Sequence, residues 1–129
     1  MDRKLLFGIA IVVGLFNLVL GVWAFVAPRS FFDAVATFEP YNRHLLHDVG
    51  AFQAGLGTTL LGALVWRDAL FVALAANGLA AVLHFVSHLV DRDLGGRATD
   101  PVGLGILMAV VVAAALYRMR RVVPEEGGS

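Results

Sequence analysis

The chain has no cysteine, and charge is scarce: ten Lys/Arg and ten Asp/Glu make up 16% of its 129 residues. The missing thiols exclude disulfides, thiolate metal sites, iron–sulfur clusters and thiol nucleophiles together. Any metal would have to be held by His, Asp, Glu or backbone oxygen. The formal net charge of zero provides no field to attract nucleic acid, and none is expected as a partner. No Ser/His/Asp arrangement, phosphate-binding glycine loop or nucleotide motif is present, so no catalytic residue is assigned and the question of an enzyme stays open. What remains is apolar. Hydrophobic residues make up 59% of the chain and its mean hydropathy is +0.79, whereas an ordinary soluble domain is about 45–50% apolar. The lipid bilayer is therefore the expected solvent and the first partner.

Four apolar stretches stand out, at about 5–27, 48–66, 69–90 and 102–117. A helix needs roughly 17–25 residues to cross the hydrocarbon core, so the first three suffice and the fourth is just long enough. Strict alternation is absent, and a chain in lipid must satisfy its backbone hydrogen bonds internally, which leaves helices as the only form. The expectation is an all-α integral membrane four-helix bundle, one domain over 1–121, followed by a flexible tail at 122–129. Pro28 closes the first span, Pro101 opens the fourth and Pro124 follows it. Arg3 and Lys4 before the first run resemble the start of a signal peptide, but the run is too long and Phe25 spoils a small-x-small cleavage pattern.

Under an even number of crossings Arg3, Lys4, Arg67, Arg118, Arg120 and Arg121 share one side, and Arg29, Arg43, Arg92 and Arg97 the other. Six against four favours cytoplasmic N and C termini in a multi-pass protein of the cell membrane. On the outer side Phe31, Phe32, Val35 and Phe38 follow helical spacing, consistent with a short amphipathic helix in the interface.

Polar residues inside spans are costly and mark interior or functional positions. All four histidines fall at the ends of two neighbouring spans: His44 and His47 open the second, His84 and His88 close the third. Trp66-Arg67-Asp68-Ala69 leaves room only for a tight turn, so these spans form an antiparallel hairpin with His47 level with His88, His44 with Asp91, Ala51 with His84 and Thr58 with Asn77. Asn77, His84, His88 and Asp91 fall within an arc of roughly 60° on one helix. His44, His47, Ala51, Ala54, Thr58 and Gly62 form the expected facing side. Asn17, between Gly14 and Gly21, is expected to point into the bundle, so that Asn17, Asn77 and Thr58 make a polar interior. Gln53 lies opposite His47 and is left for another helix or another subunit.

Two imidazoles one helical turn apart can reach a single ion, and His47 could supply a third ligand. His44, Asp48 or Asp91 would complete the shell or orient a ring. The metal set is thus His44, His47, His84, His88, Asp48 and Asp91, suited to Zn(II), Cu(II), Fe or Ni. A b-type haem is the related alternative, with His47 opposite His84 or His88 as axial ligands. Against these stand a hairpin lock, in which the same residues only hydrogen-bond one another, and a proton-linked, small-molecule or lipid-binding site. Exposed small-residue faces suit a homo-oligomer.

The segment Pro40-Tyr41-Asn42-Arg43-His44-Leu45-Leu46-His47-Asp48-Val49-Gly50-Ala51, followed by His84-x-x-x-His88, resembles small four-helix membrane proteins of actinobacterial type, and the layout is similar to DoxX-like proteins. The resemblance covers Pro28 to Asp91. It implies that Asn42, His44, Asp48, His84 and His88 form one unit, and it carries no activity. The multi-histidine membrane di-iron oxidases and hydroxylases share the His-x-x-x-His spacing but need about twice as many histidines.

Overall fold

The computed structural model describes residues 2–66 and 69–122. The expected turn at Arg67 and Asp68, Pro124 and the tail at 123–129 lie outside them. Five helices are present among the described residues: α1 (Arg3–Val26), α2 (Pro28–Ala34), α3 (Arg43–Gly62), α4 (Leu70–Val90) and α5 (Asp100–Val122). Three of them, α1, α4 and α5, are long and apolar enough to cross a membrane. Their outward faces are correspondingly apolar: Val26 is 75% exposed, and Val12, Leu79, Leu83 and Ile106 are also uncovered.

The second expected span differs most. Its helix begins at Arg43, where the Asn42 side chain accepts from the Leu45 amide at 3.1 Å, and it ends at Gly62. An N-cap of this kind satisfies a backbone donor that the helix itself cannot. Ala63 to Trp66 forms turn rather than helix. Its first turns therefore carry Arg43, His44, His47 and Asp48, and α3 is not among the helices apolar enough to span. In contrast, α5 is longer than expected and includes Arg118, Arg120, Arg121 and Val122. Cations suit the C-terminal turn of a helix, whose carbonyls point outward.

The helices associate as two pairs, α1 with α3 and α4 with α5; α3 and α4 touch far less. Glycine explains the first pair. A Cβ on Gly21 would lie 2.4 Å from the Ala54 nitrogen, and one on Gly57 would lie 2.5 Å from that of Leu18. Backbone touches backbone here, which maximises dispersion contact. The facing side of α3 is thus Gly50, Ala54 and Gly57; Ala51 and Thr58 of the expected face are exposed.

A buried cluster containing Ala10, Leu60, Leu74, Val111 and Ala114 joins both pairs towards one end. Near the other end, Phe31 and Phe32 of α2 pack with Ala24 and Leu46. The expected interfacial helix is therefore shorter than its periodicity suggests, and it folds onto the α1–α3 pair. Phe38, beyond its end, instead makes an antiparallel bridge with Gly95.

Candidate functional site

The Phe38–Gly95 bridge ties the α2–α3 loop to the α4–α5 loop. The Gly96 amide donates to the Thr37 carbonyl at 3.3 Å, and the Arg97 guanidinium donates to the Ala34 carbonyl at 2.6 Å. Gly96 has φ +80°, a conformation side chains rarely adopt, and a Cβ on Gly95 would meet the Thr37 oxygen at 2.6 Å. Glycine is what allows the two loops to come this close. The Asp100 carboxylate then accepts from the Arg97 amide at 2.8 Å, which fixes the start of α5 beside the end of α4.

This stitching gathers His84, His88 and Asp100. The Nε2 atoms of His84 and His88 are 3.2 Å apart, and Asp100 Oδ2 is 3.9 Å from His88 Nδ1. The second distance is that of an ion pair and too long for a direct hydrogen bond. A carboxylate on the Nδ1 side favours the tautomer with Nδ1–H on His88. The Phe38 ring meets His88 edge-on at 5.3 Å and limits its movement. The side chains of His88 and Asp100 are 15% and 23% exposed.

The other histidines do not join them. His44 lies 3.6 Å from Asp48 on an open surface, its side chain 86% exposed. His47 packs on Phe25 of α1, with ring centroids 5.0 Å apart. The four-histidine convergence, and the opposition of His47 to His84 or His88 that a shared ion or an axial haem pair requires, are thus not formed. The cause is lateral rather than vertical: all four rings sit near one end, but glycine draws α3 onto α1. Asp91 ends α4 through its backbone amide, which donates to the Ser87 carbonyl at 2.8 Å. The carboxylate beside the histidines is instead Asp100, which sequence reasoning missed. Its place just before Pro101 at the start of the last span was the available signal. Among the described residues no three His, Asp or Glu side chains form a group able to hold an ion.

Of Asn17, Asn77 and Thr58, the two asparagines are buried and Thr58 is exposed. Asn17 is buried and donates to Asn77 Oδ1 at 2.9 Å. Asn77 also donates to the Ala73 carbonyl at 3.0 Å and to the Leu56 carbonyl at 3.3 Å. Gln53, expected against another helix or another subunit, donates to Asn17 Oδ1 of α1 at 3.0 Å. The α3 hydroxyl facing Asn77 is Thr59, at 3.4 Å; the exposed Thr58 bonds to Ala54 in its own helix. A chain of amides thus fastens α1, α3 and α4 to one another.

Between the two helix pairs, on the histidine side of this amide chain, a groove of about 750 Å³ remains open. Its walls are apolar, including Phe16 and Leu20 of α1, Leu45 and Val49 of α3, and Leu104 and Leu107 of α5. Polar groups collect at one end, where His84, His88, Arg97, Thr99 and Asp100 line it; Gln53 lies towards the other. The residues along α1, Val12 to Ala24, cover about 18 Å at the ~1.5 Å rise of a helix. No protein-family model matches the chain, and no curated protein or solved structure matches it significantly.

Proposed function

We propose that this chain is a multi-pass membrane protein that binds a single-chain amphiphile, such as a long-chain fatty acid, in the groove between its helix pairs. The observation that carries this reading is the distribution of polarity within one cavity. A body of about 750 Å³ walled by Phe, Leu and Val ends at two imidazoles, a carboxylate and a guanidinium. Binding sites of this size are mostly apolar, with a few polar groups that set orientation. The His84–His88 pair can donate to and accept from a head group, while Asp100 lies at ion-pair distance behind His88. Four antiparallel rods, α1, α3, α4 and α5, would put the groove in the outer half of the bilayer, open to lipid, with cytoplasmic termini.

The test is fluorescence titration of the purified protein with cis-parinaric acid in a mild detergent. Saturable binding near one per chain is expected. Leu104→Trp and Val49→Trp, which fill the groove from opposite walls, should weaken it at least tenfold without lowering the melting temperature. Non-saturating partition, equal in both variants, would overturn the reading.

A transition metal is the second reading, and one distance favours it. Nitrogens 3.2 Å apart match neighbouring ligands on an ion with bonds of about 2.0–2.1 Å. Asp100 would orient His88 from behind, and the remaining ligands would come from the groove's occupant or water. Near-stoichiometric Zn, Cu or Fe in protein purified without chelator, lost in His88→Ala, would support it. A metal-free sample would leave the amphiphile alone.

A further inference from the structure

At the opposite end of the bundle a second cavity, of about 410 Å³, lies between the starts of α1 and α4 and the end of α5. Leu6 and Leu70 give it an apolar floor, while Arg3, Arg118, Arg121 and Tyr117 supply its polar lining. Among the described residues no carboxylate lines it. Asp2, the nearest acid in sequence, accepts from the Leu5 amide at 2.8 Å and caps α1.

The arginines differ in how they are held. Arg3 stacks over Phe7 at 5.3 Å. Arg121 lies 5.4 Å from the Tyr117 ring and donates to its hydroxyl at 3.2 Å. The Nε of Arg118 is buried with no hydrogen-bond partner, the one such side-chain atom among the described residues. A buried donor without an acceptor is costly, more so when it carries charge. Three guanidiniums around one partly apolar cavity, with an unanswered N–H, call for an oxyanion. Guanidinium forks match the oxygens of phosphate.

We infer that this pocket binds the phosphate of an anionic phospholipid, accepting from Arg118 and flanked by Arg3 and Arg121. Lipid is the source favoured by position. The cavity sits where α1, α4 and α5, the helices apolar enough to cross a membrane, reach their common end, so head-group phosphates lie at its mouth. Leu5, 52% exposed beside it, offers apolar surface to an acyl chain. Basic pockets between spanning helices on the cytoplasmic side hold anionic head groups by the same physics. The inference rests on the membrane reading and is independent of what fills the groove.

Native mass spectrometry of the full chain in mild detergent, with added phosphatidylglycerol or phosphatidylcholine of identical acyl chains, tests it. One phosphatidylglycerol should be retained per chain, with phosphatidylcholine about tenfold weaker. Arg118→Gln should reduce phosphatidylglycerol binding about tenfold, and Arg118→Lys should restore only part of it, because lysine lacks the fork. If Arg118→Gln does not fold, the exposed Arg3→Gln and Arg121→Gln carry the test, each about fivefold weaker. Leu104→Trp in the groove should leave this binding unchanged. Equal retention of the two lipids, or full affinity in the arginine variants, would overturn the inference. So would displacement by millimolar inorganic phosphate, which would identify a free anion as the ligand.

Discussion

The seam between α1 and α3 and the seam between the two helix pairs are built from the same kinds of apolar residue, yet one is closed to the backbone and the other holds a cavity of about 750 Å³. Alignment of small residues makes the difference. Gly14, Gly21, Gly50 and Gly57 meet across the first seam. Across the second, one half closes on Ala10, Ala73, Ala114 and Leu74, whereas the half towards the histidines presents Phe16, Leu45, Val49 and Leu104. The bridged loops above, fastened by Phe38 and Gly95, keep the separation from collapsing. In a bilayer, where apolar contact with lipid is no worse than contact with protein, packing quality decides which seams close.

The largest test of this contrast is Gly57→Leu. A side chain there has no space against the Leu18 backbone, and stability should fall by about 3 kcal/mol or more, read from unfolding in mixed micelles. Gly55→Ala, where nothing lies within 4 Å, should change it by less than about 0.5 kcal/mol. Equal losses at the two positions would remove glycine contact as the reason α3 follows α1.

A smaller effect is expected at the amide chain that spans both seams. Asn77→Leu deletes its bonds to Asn17, Leu56 and Ala73 and strands the Asn17 amide. The expected loss is about 1–2 kcal/mol. A double-mutant cycle between Asn17 and Gln53 should return a coupling of about 0.6 kcal/mol; none at all would mean that α1 and α3 are joined by glycine packing only. The smallest effect belongs to His44→Ala and Asp48→Ala. That pair is exposed, so its removal should cost within about 0.5 kcal/mol and leave ligand binding at His84 and His88 unchanged. A ten-fold drop in binding would show that His44 or Asp48, and not only Leu45 and Val49 of α3, contributes to the groove.

Much of the fold was legible because it follows from local properties. Three of the expected spans are the three membrane-length helices, and His84 and His88 share a face because their spacing of four is one helical turn. Asn17 was correctly turned inward by its setting between Gly14 and Gly21. The misplaced residues share one cause. Opposing α3 to α4 followed from the short connection between them, and chain neighbours usually do pack together. That assumption turned Ala51 and Thr58 inward and placed His47 opposite His88, whereas Gln53, left for another helix or another subunit, meets Asn17 of α1. The same assumption also obscured Asp100, because the relevant neighbour of α4 is α5.

By itself, then, the sequence determined the helical state, the apolar lengths, the absence of thiol chemistry and the grouping of histidines at one end, all of which depend on composition and on the fixed geometry of the α-helix. The tertiary structure alone decided which helix lies beside which. That choice depends on whether small residues from two distant segments coincide in depth and direction, a relation that no single segment carries. From it follow the dry α1–α3 seam, the His84–His88–Asp100 arrangement, the groove that ends there, and the arginine pocket at the other end of the bundle.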